Sequence, residues 1–96
     1  MNAKDLLAKL RELKPIVEAR YKAKEIGLFG SYVRGEQSVG SDIDVLVEFK
    51  EDADLFDLMG LTLYLEEAFQ RKVDVVPKSA LREELRESVL LEVVSI

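Results

Sequence analysis

The sequence predicts an α/β domain of the α+β kind, a mixed sheet of three or four strands with helices packed mainly on one face. Three observations carry that prediction. Leu6, Leu10, Leu13 and Val17 recur at helical spacing. The run Ile43-Asp44-Val45-Leu46-Val47-Glu48-Phe49 sets apolar residues on alternate positions of a strand. A second such run, Val73-Asp74-Val75-Val76, is stopped by Pro77.

The first helix covers residues 3–22, with Asn2 placed to cap it and Asp5 near the positive end of its dipole. Pro15 falls inside, but the apolar stripe keeps its phase across the proline, which predicts one kinked helix and not two. Residues 25–30, Glu-Ile-Gly-Leu-Phe-Gly, read as a short buried strand ending at a glycine. From Ser31 to Ser41 the composition is turn-rich, with one helical turn at its start. After the strand 43–49 and a charged loop, Leu55 to Arg71 reads as a helix capped by Asp54, with apolar residues on more than one face. Leu55, Leu58, Leu65 and Phe69 are expected to line one side of it, leaving Phe56, Leu63 and Tyr64 largely outside, so part of this surface is expected to meet another chain or to be covered by the other helices. Ser79 is placed to cap a last helix carrying Leu81, Leu85 and Val89, and residues 93–96 to add an edge strand.

With 96 residues there is room for one hydrophobic core, so a single domain spanning 1–96 is expected. The composition, 48% hydrophobic and 34% charged, excludes a disordered tail. A net charge of −5 with no dense Lys/Arg block argues against a duplex nucleic-acid partner. The absence of any apolar run long enough for a bilayer, or of a signal-peptide pattern, points to a soluble, cytoplasmic protein. There is neither cysteine nor histidine. Thiolate and imidazole sites are thereby excluded, and any metal must be a hard cation on carboxylate oxygens.

Such carboxylates are present. Alternate side chains of a strand share a face, so Asp42 and Asp44 point together while Ile43, Val45 and Val47 enter the core. Their Cβ atoms stand about 7 Å apart, close enough to converge on one cation. Asp74 repeats the pattern between Val73 and Val75, and if the two strands are neighbours all three acids gather at one end of the sheet. Acids so close repel one another, and a divalent cation both relieves that repulsion and lets an anionic triphosphate approach. Gly30-Ser31, where the first strand meets a turn, offers backbone N–H groups and a hydroxyl to a phosphate, and Arg34 adds a charge-assisted donor. Taken singly, each feature also has an ordinary structural reading: a turn, a solvated arginine, a capping Asp-x-Asp. Their coincidence favours a site.

The string from Gly30 to Asp44, Gly-Ser followed by ten residues and Asp-x-Asp, resembles the signature of the DNA polymerase β-like nucleotidyltransferase superfamily, and most closely its minimal nucleotidyltransferases of bacteria and archaea. Arg34-Gly35 and Ser41-Asp42-Ile43-Asp44 match in detail, and Asp74 stands in the Val-Asp-Val context of that family's third carboxylate. The resemblance implies a nucleotidyltransferase fold. Asp42, Asp44 and Asp74 would be catalytic and hold two Mg²⁺ ions, or Mn²⁺; Gly30, Ser31, Arg34 and Ser41 would bind the nucleotide, with ATP as substrate. It further implies an antitoxin whose partner is a HEPN-domain protein and which transfers AMP to a tyrosine of that partner.

Two rival readings remain at this point. The chain is alternatively a binding subunit that neutralises its partner by contact, alone or within a homo- or hetero-oligomer. The third reading, a small-molecule nucleotidyltransferase, needs a second subunit, because so short a chain has little sequence left for an acceptor pocket.

Overall fold

A computed structural model describes all residues, Met1–Ile96. Helix α1 (Ala3–Tyr21) begins as its first residues dictate: the Asp5 N–H donates to Asn2 Oδ1 at 2.9 Å and the Asn2 N–H donates to Asp5 Oδ2 at 3.4 Å, closing a reciprocal cap. It passes through Pro15 as one continuous element and ends at Lys22 in the left-handed region. Strand β1 (Ala23–Phe29) starts two residues before the expected Glu25. The extension follows from pairing: Ala23 lies opposite Phe49 across a bulge and is fully buried, a partner that local sequence cannot reveal.

The short helix α2 (Ser31–Arg34) is the single turn expected there, closed by Gly35 at φ 71°. Strand β2 (Ile43–Phe49) runs antiparallel to β1, and β3 (Val73–Pro77) runs parallel to β2. Between them lies α3 (Leu55–Phe69), whose Asp54–Asp57 cap repeats the device of α1 and whose last residue, Phe69, falls two residues before the expected Arg71. A 3-10 turn (Lys78–Ala80) follows, then α4 (Glu83–Glu92) and β4 (Val94–Ser95), which pairs with β1. The sheet order is β3-β2-β1-β4.

One face of the sheet carries the core. Ile26, Leu28, Ile43, Val45, Val47, Val73 and Val75 project from it against Leu6, Leu10 and Val17 of α1 and Leu61, Leu65 and Phe69 of α3, each nearly or fully removed from water. Burying each Leu contributes about 2 kcal/mol, which is why the two long helices stack on this side. The opposite face carries Asp44, Leu46, Asp74 and Val76, and α4 and the 3-10 turn approach it.

Three expectations need correction. Ser79 does not cap α4; it lies in the 3-10 turn, and the helix starts after Arg82, where Glu83 and Glu84 favour its positive end. Leu81 therefore precedes the helix and only Leu85 and Val89 of its stripe are helical. Leu55 is 64% exposed, because it is the first residue of α3, more than a turn before the buried stripe Leu61–Leu65–Phe69 begins. Phe56, Met59 and Leu63 are exposed as well, so α3 presents an uncovered apolar face. Finally, Pro77 does not stop β3 but ends it within the pairing, which β3 tolerates as an edge strand.

Candidate active site

The parallel pairing of β2 and β3 sets Asp44 directly opposite Asp74. That register is held at its start by the Ile43 N–H, which donates to the Lys72 carbonyl at 3.0 Å, and by the Val73 N–H, which donates to Glu66 Oε2 at 3.1 Å. Since Ile43, Val45, Val73 and Val75 must enter the core, the period of two turns both carboxylates to the far face. There they line a cleft of about 470 Å³ with Phe29, Gly30, Arg34 and the α4 residues Leu85, Ser88, Val89 and Glu92. Gly30, Arg34, Asp44 and Asp74 thus meet in one place, while Ser31, Ser41 and Asp42 lie outside its lining.

Gly30 is required twice over. Its backbone has φ 85° and ψ −155°, a combination essentially reserved for glycine, and a Cβ there would run into the Asp44 carboxylate. The Gly30→Ala variant is expected to lose about 1–3 kcal/mol from backbone strain alone, which thermal unfolding measures; a melting temperature equal to the wild type's contradicts this account.

Electrostatically the cleft is acidic. The Asp44 carboxyl is raised above its ordinary range, first by burial, then by the neighbouring charges of Asp74 and Asp42; Arg34 opposes this and Glu92 adds to it. Asp42, exposed and one residue before β2, therefore acts on Asp44 through its field. Arg34 is pinned between two acids: its Nε donates to Glu36 Oε1 at 2.6 Å and its Nη1 to Glu92 Oε1 at 2.7 Å, and these bonds raise its pKa further. Ser41 is used locally, its hydroxyl accepting from the Ser38 N–H at 2.8 Å, so that it shapes the loop leading into Asp42. Arg71 anchors the same loop by donating to the Val39 carbonyl at 2.7 Å.

The three aspartates do not close into a ready-made cation cage. Magnesium does not need one, because it keeps most of its waters and is held by one or two carboxylates together with substrate phosphates. Two facing carboxylates of adjacent strands, one of them disfavoured in its ionised form by burial and by its neighbours' charge, suit such a cation when it arrives with a phosphorylated ligand.

Sequence reasoning missed Glu92. Its Oε2 accepts from the Gly30 N–H at 3.0 Å while its Oε1 holds Arg34. The signal was present, since an acid stands between Leu90-Leu91 and Val93-Val94, the same pattern that singled out Asp74.

Fold and cleft together define an α+β domain with an acidic cleft on the far face of its sheet, and residues 10–96 match the nucleotidyltransferase domain family. The chain belongs to that family. It is 46% identical over 77 residues to the protein adenylyltransferase MntA of Thermococcus cleftensis, covering 80% of this chain and 78% of that protein. Among solved structures it resembles a candidate minimal nucleotidyltransferase, with a TM-score of 0.86 and 36% identity over 100% of this chain and 97% of that one. It also resembles a chain of a complex between a tri-AMPylated Shewanella oneidensis HEPN toxin and its MNT antitoxin, with a TM-score of 0.63 and 27% identity over 91% of this chain and 69% of that one.

Proposed function

We propose that this nucleotidyltransferase moves AMP from ATP to a tyrosine hydroxyl of a HEPN-type toxin and thereby acts as its antitoxin. The observation that carries the reading is the pairing of Asp44 with Asp74 across β2 and β3, in a cleft that also holds Gly30 and Arg34. The relatives add the acceptor class: one is an adenylyltransferase of proteins, and another stands in complex with a toxin that carries AMP.

In this scheme Gly30 and Arg34 hold the phosphates, with Ser31 and Ser41 at the margins of the same site. Asp42, Asp44 and Asp74 are the carboxylates that would hold one or two Mg²⁺ ions, which supply charge neutralisation at the phosphates and orient them for in-line attack. The acceptor oxygen forms its bond to the α-phosphorus as the bond to the bridging oxygen breaks, and pyrophosphate leaves. The hydroxyl proton passes to the Asp74 carboxylate, on the edge strand where an incoming chain has access. A small apolar surface formed by Leu58, Met59, Thr62, Leu63, Val73 and Val75 also includes Asp74, so an acceptor protein can rest on apolar side chains while its hydroxyl reaches the acid.

The neutralisation-by-contact reading makes a different forecast. Incubation of the partner with ATP, Mg²⁺ and this protein is expected to add the mass of AMP to the partner; a partner that is inhibited yet unmodified overturns the transfer reading in favour of contact. Calorimetry is expected to show ATP binding with Mg²⁺ or Mn²⁺ and none in excess chelator, and equal affinity with and without metal contradicts the assignment of the acids.

A further inference from the structure

Glu92 occupies the position where the cleft's cationic and N–H donors converge. One carboxylate takes both the Gly30 N–H, at 3.0 Å, and the Arg34 guanidinium, at 2.7 Å, and its side chain is only 18% exposed. Both donors line the cleft together with the paired aspartates, Gly30 immediately beside Asp44. The two oxygens of a carboxylate present themselves to such donors much as two oxygens of a phosphate do.

The location is otherwise a poor one for an acid. Glu92 is the last residue of α4, where unsatisfied carbonyls repel an anion and where no basic residue offsets them. Its charge also adds to the field that raises Asp44. What holds it there is the pair of donors. Beyond the pairing of β4 with β1, which ties down the chain two residues on, little fixes α4: the helix buries none of its residues, and Arg82 makes no side-chain cap bond at its start. Such a helix can give up one contact without exposing a core.

We propose that Glu92 stands in for a nucleotide phosphate in the free protein and is displaced from Gly30 and Arg34 when the triphosphate binds, so that its side chain, at the C-terminal end of α4, gates the site. This rests on the nucleotide reading above. It adds that the gate holds the donors in bonding geometry and makes entry competitive, so nucleotide binding measures a difference between two anions and not a simple gain. Without Mg²⁺ the carboxylates repel the phosphates, and Glu92 stays in place.

The test is calorimetry of wild type and Glu92→Gln with Mg²⁺ and an ATP analogue carrying a methylene between the α- and β-phosphorus, which cannot be cleaved there. Gln keeps the shape and an acceptor oxygen but loses the charge, and charge-assisted bonds are roughly twice as strong as neutral ones. The variant is expected to bind the analogue about tenfold more tightly than wild type, while melting at a lower temperature in its absence. Equal or weaker binding by the variant, with clear binding by wild type, assigns Glu92 a purely structural role and overturns the gate. Failure of both proteins to bind overturns the nucleotide reading itself, and the gate with it. Should Glu92→Gln fail to fold, wild type alone decides: the Gly30 amide resonance is expected to move when the Mg²⁺–analogue binds, and an unmoved Gly30 amide in a protein that binds it overturns the proposal.

Discussion

Asp74→Asn is expected to bind Mg²⁺–ATP within about tenfold of wild type, a difference of roughly 1.4 kcal/mol, yet to transfer AMP more slowly by about two to four orders of magnitude. The split follows from position. Asp74 stands on the edge strand, exposed, two strands from β1 and the Gly30–Arg34 donors proposed to receive the phosphates, and it borders the apolar surface beside α3. A group there matters most when the attacking hydroxyl loses its proton, which occurs only in the transition state. Single-turnover transfer measured beside calorimetric affinity separates the two effects. A variant that loses affinity and rate by the same factor makes Asp74 a ligand-binding residue and not the proton acceptor.

Asp44→Asn is expected to reverse the usual relation between stability and activity. Transfer falls by about three orders of magnitude, close to 4 kcal/mol of transition-state stabilisation, because Asp44 is the most enclosed of the three acids and faces both Gly30 and Asp74. The metal-free protein, by contrast, becomes more stable at neutral pH. Burial and the charges of Asp74 and Asp42 raise the Asp44 carboxyl in the fold, so above that raised value the folded chain carries an ionised group it disfavours. The folded state binds more protons than the unfolded one only between the ordinary value of 3.8 and the raised one, and within that window stability falls as pH rises. Asn abolishes this contribution to the slope and leaves the amide in the same place. Thermal unfolding without metal, followed across acidic to neutral pH, is the check; a variant less stable than wild type at pH 7 contradicts an uncompensated charge at this position. Added Mg²⁺ and ATP should narrow the difference by stabilising wild type alone.

The exposed face of α3 links these site predictions to assembly. Leu55, Phe56, Met59 and Leu63 stand uncovered where the apolar pattern of the helix had already promised more surface than one core side can hide. The alternative that the other helices cover it within the monomer does not hold: these side chains stay exposed, and α4 lies on the opposite face of the sheet, against Leu46, Val76 and the acids.

The features legible in the residues alone are local and periodic. The α1 and α3 caps follow from Asn2–Asp5 and Asp54–Asp57 three residues apart, and β2 follows from its alternation. That alternation also decided that Asp44 and Asp74 leave the core, since burying Ile43, Val45, Val73 and Val75 admits no other facing. Tertiary structure decided the rest. The pairing of β2 with β3 in parallel, which sets Asp44 against Asp74, depends on how α3 crosses the sheet, and no residue of either strand encodes the partner's register. The same holds for β3 as an edge and for the early start of β1 opposite Phe49. Glu92 is the clearest case. It lies 62 residues from Gly30 in the chain and reaches it only because β4 pairs with β1 and brings the end of α4 to the mouth of the cleft. Spacing along a chain records which side chains share a face of one element; which elements meet is settled by burial of the whole apolar set at once.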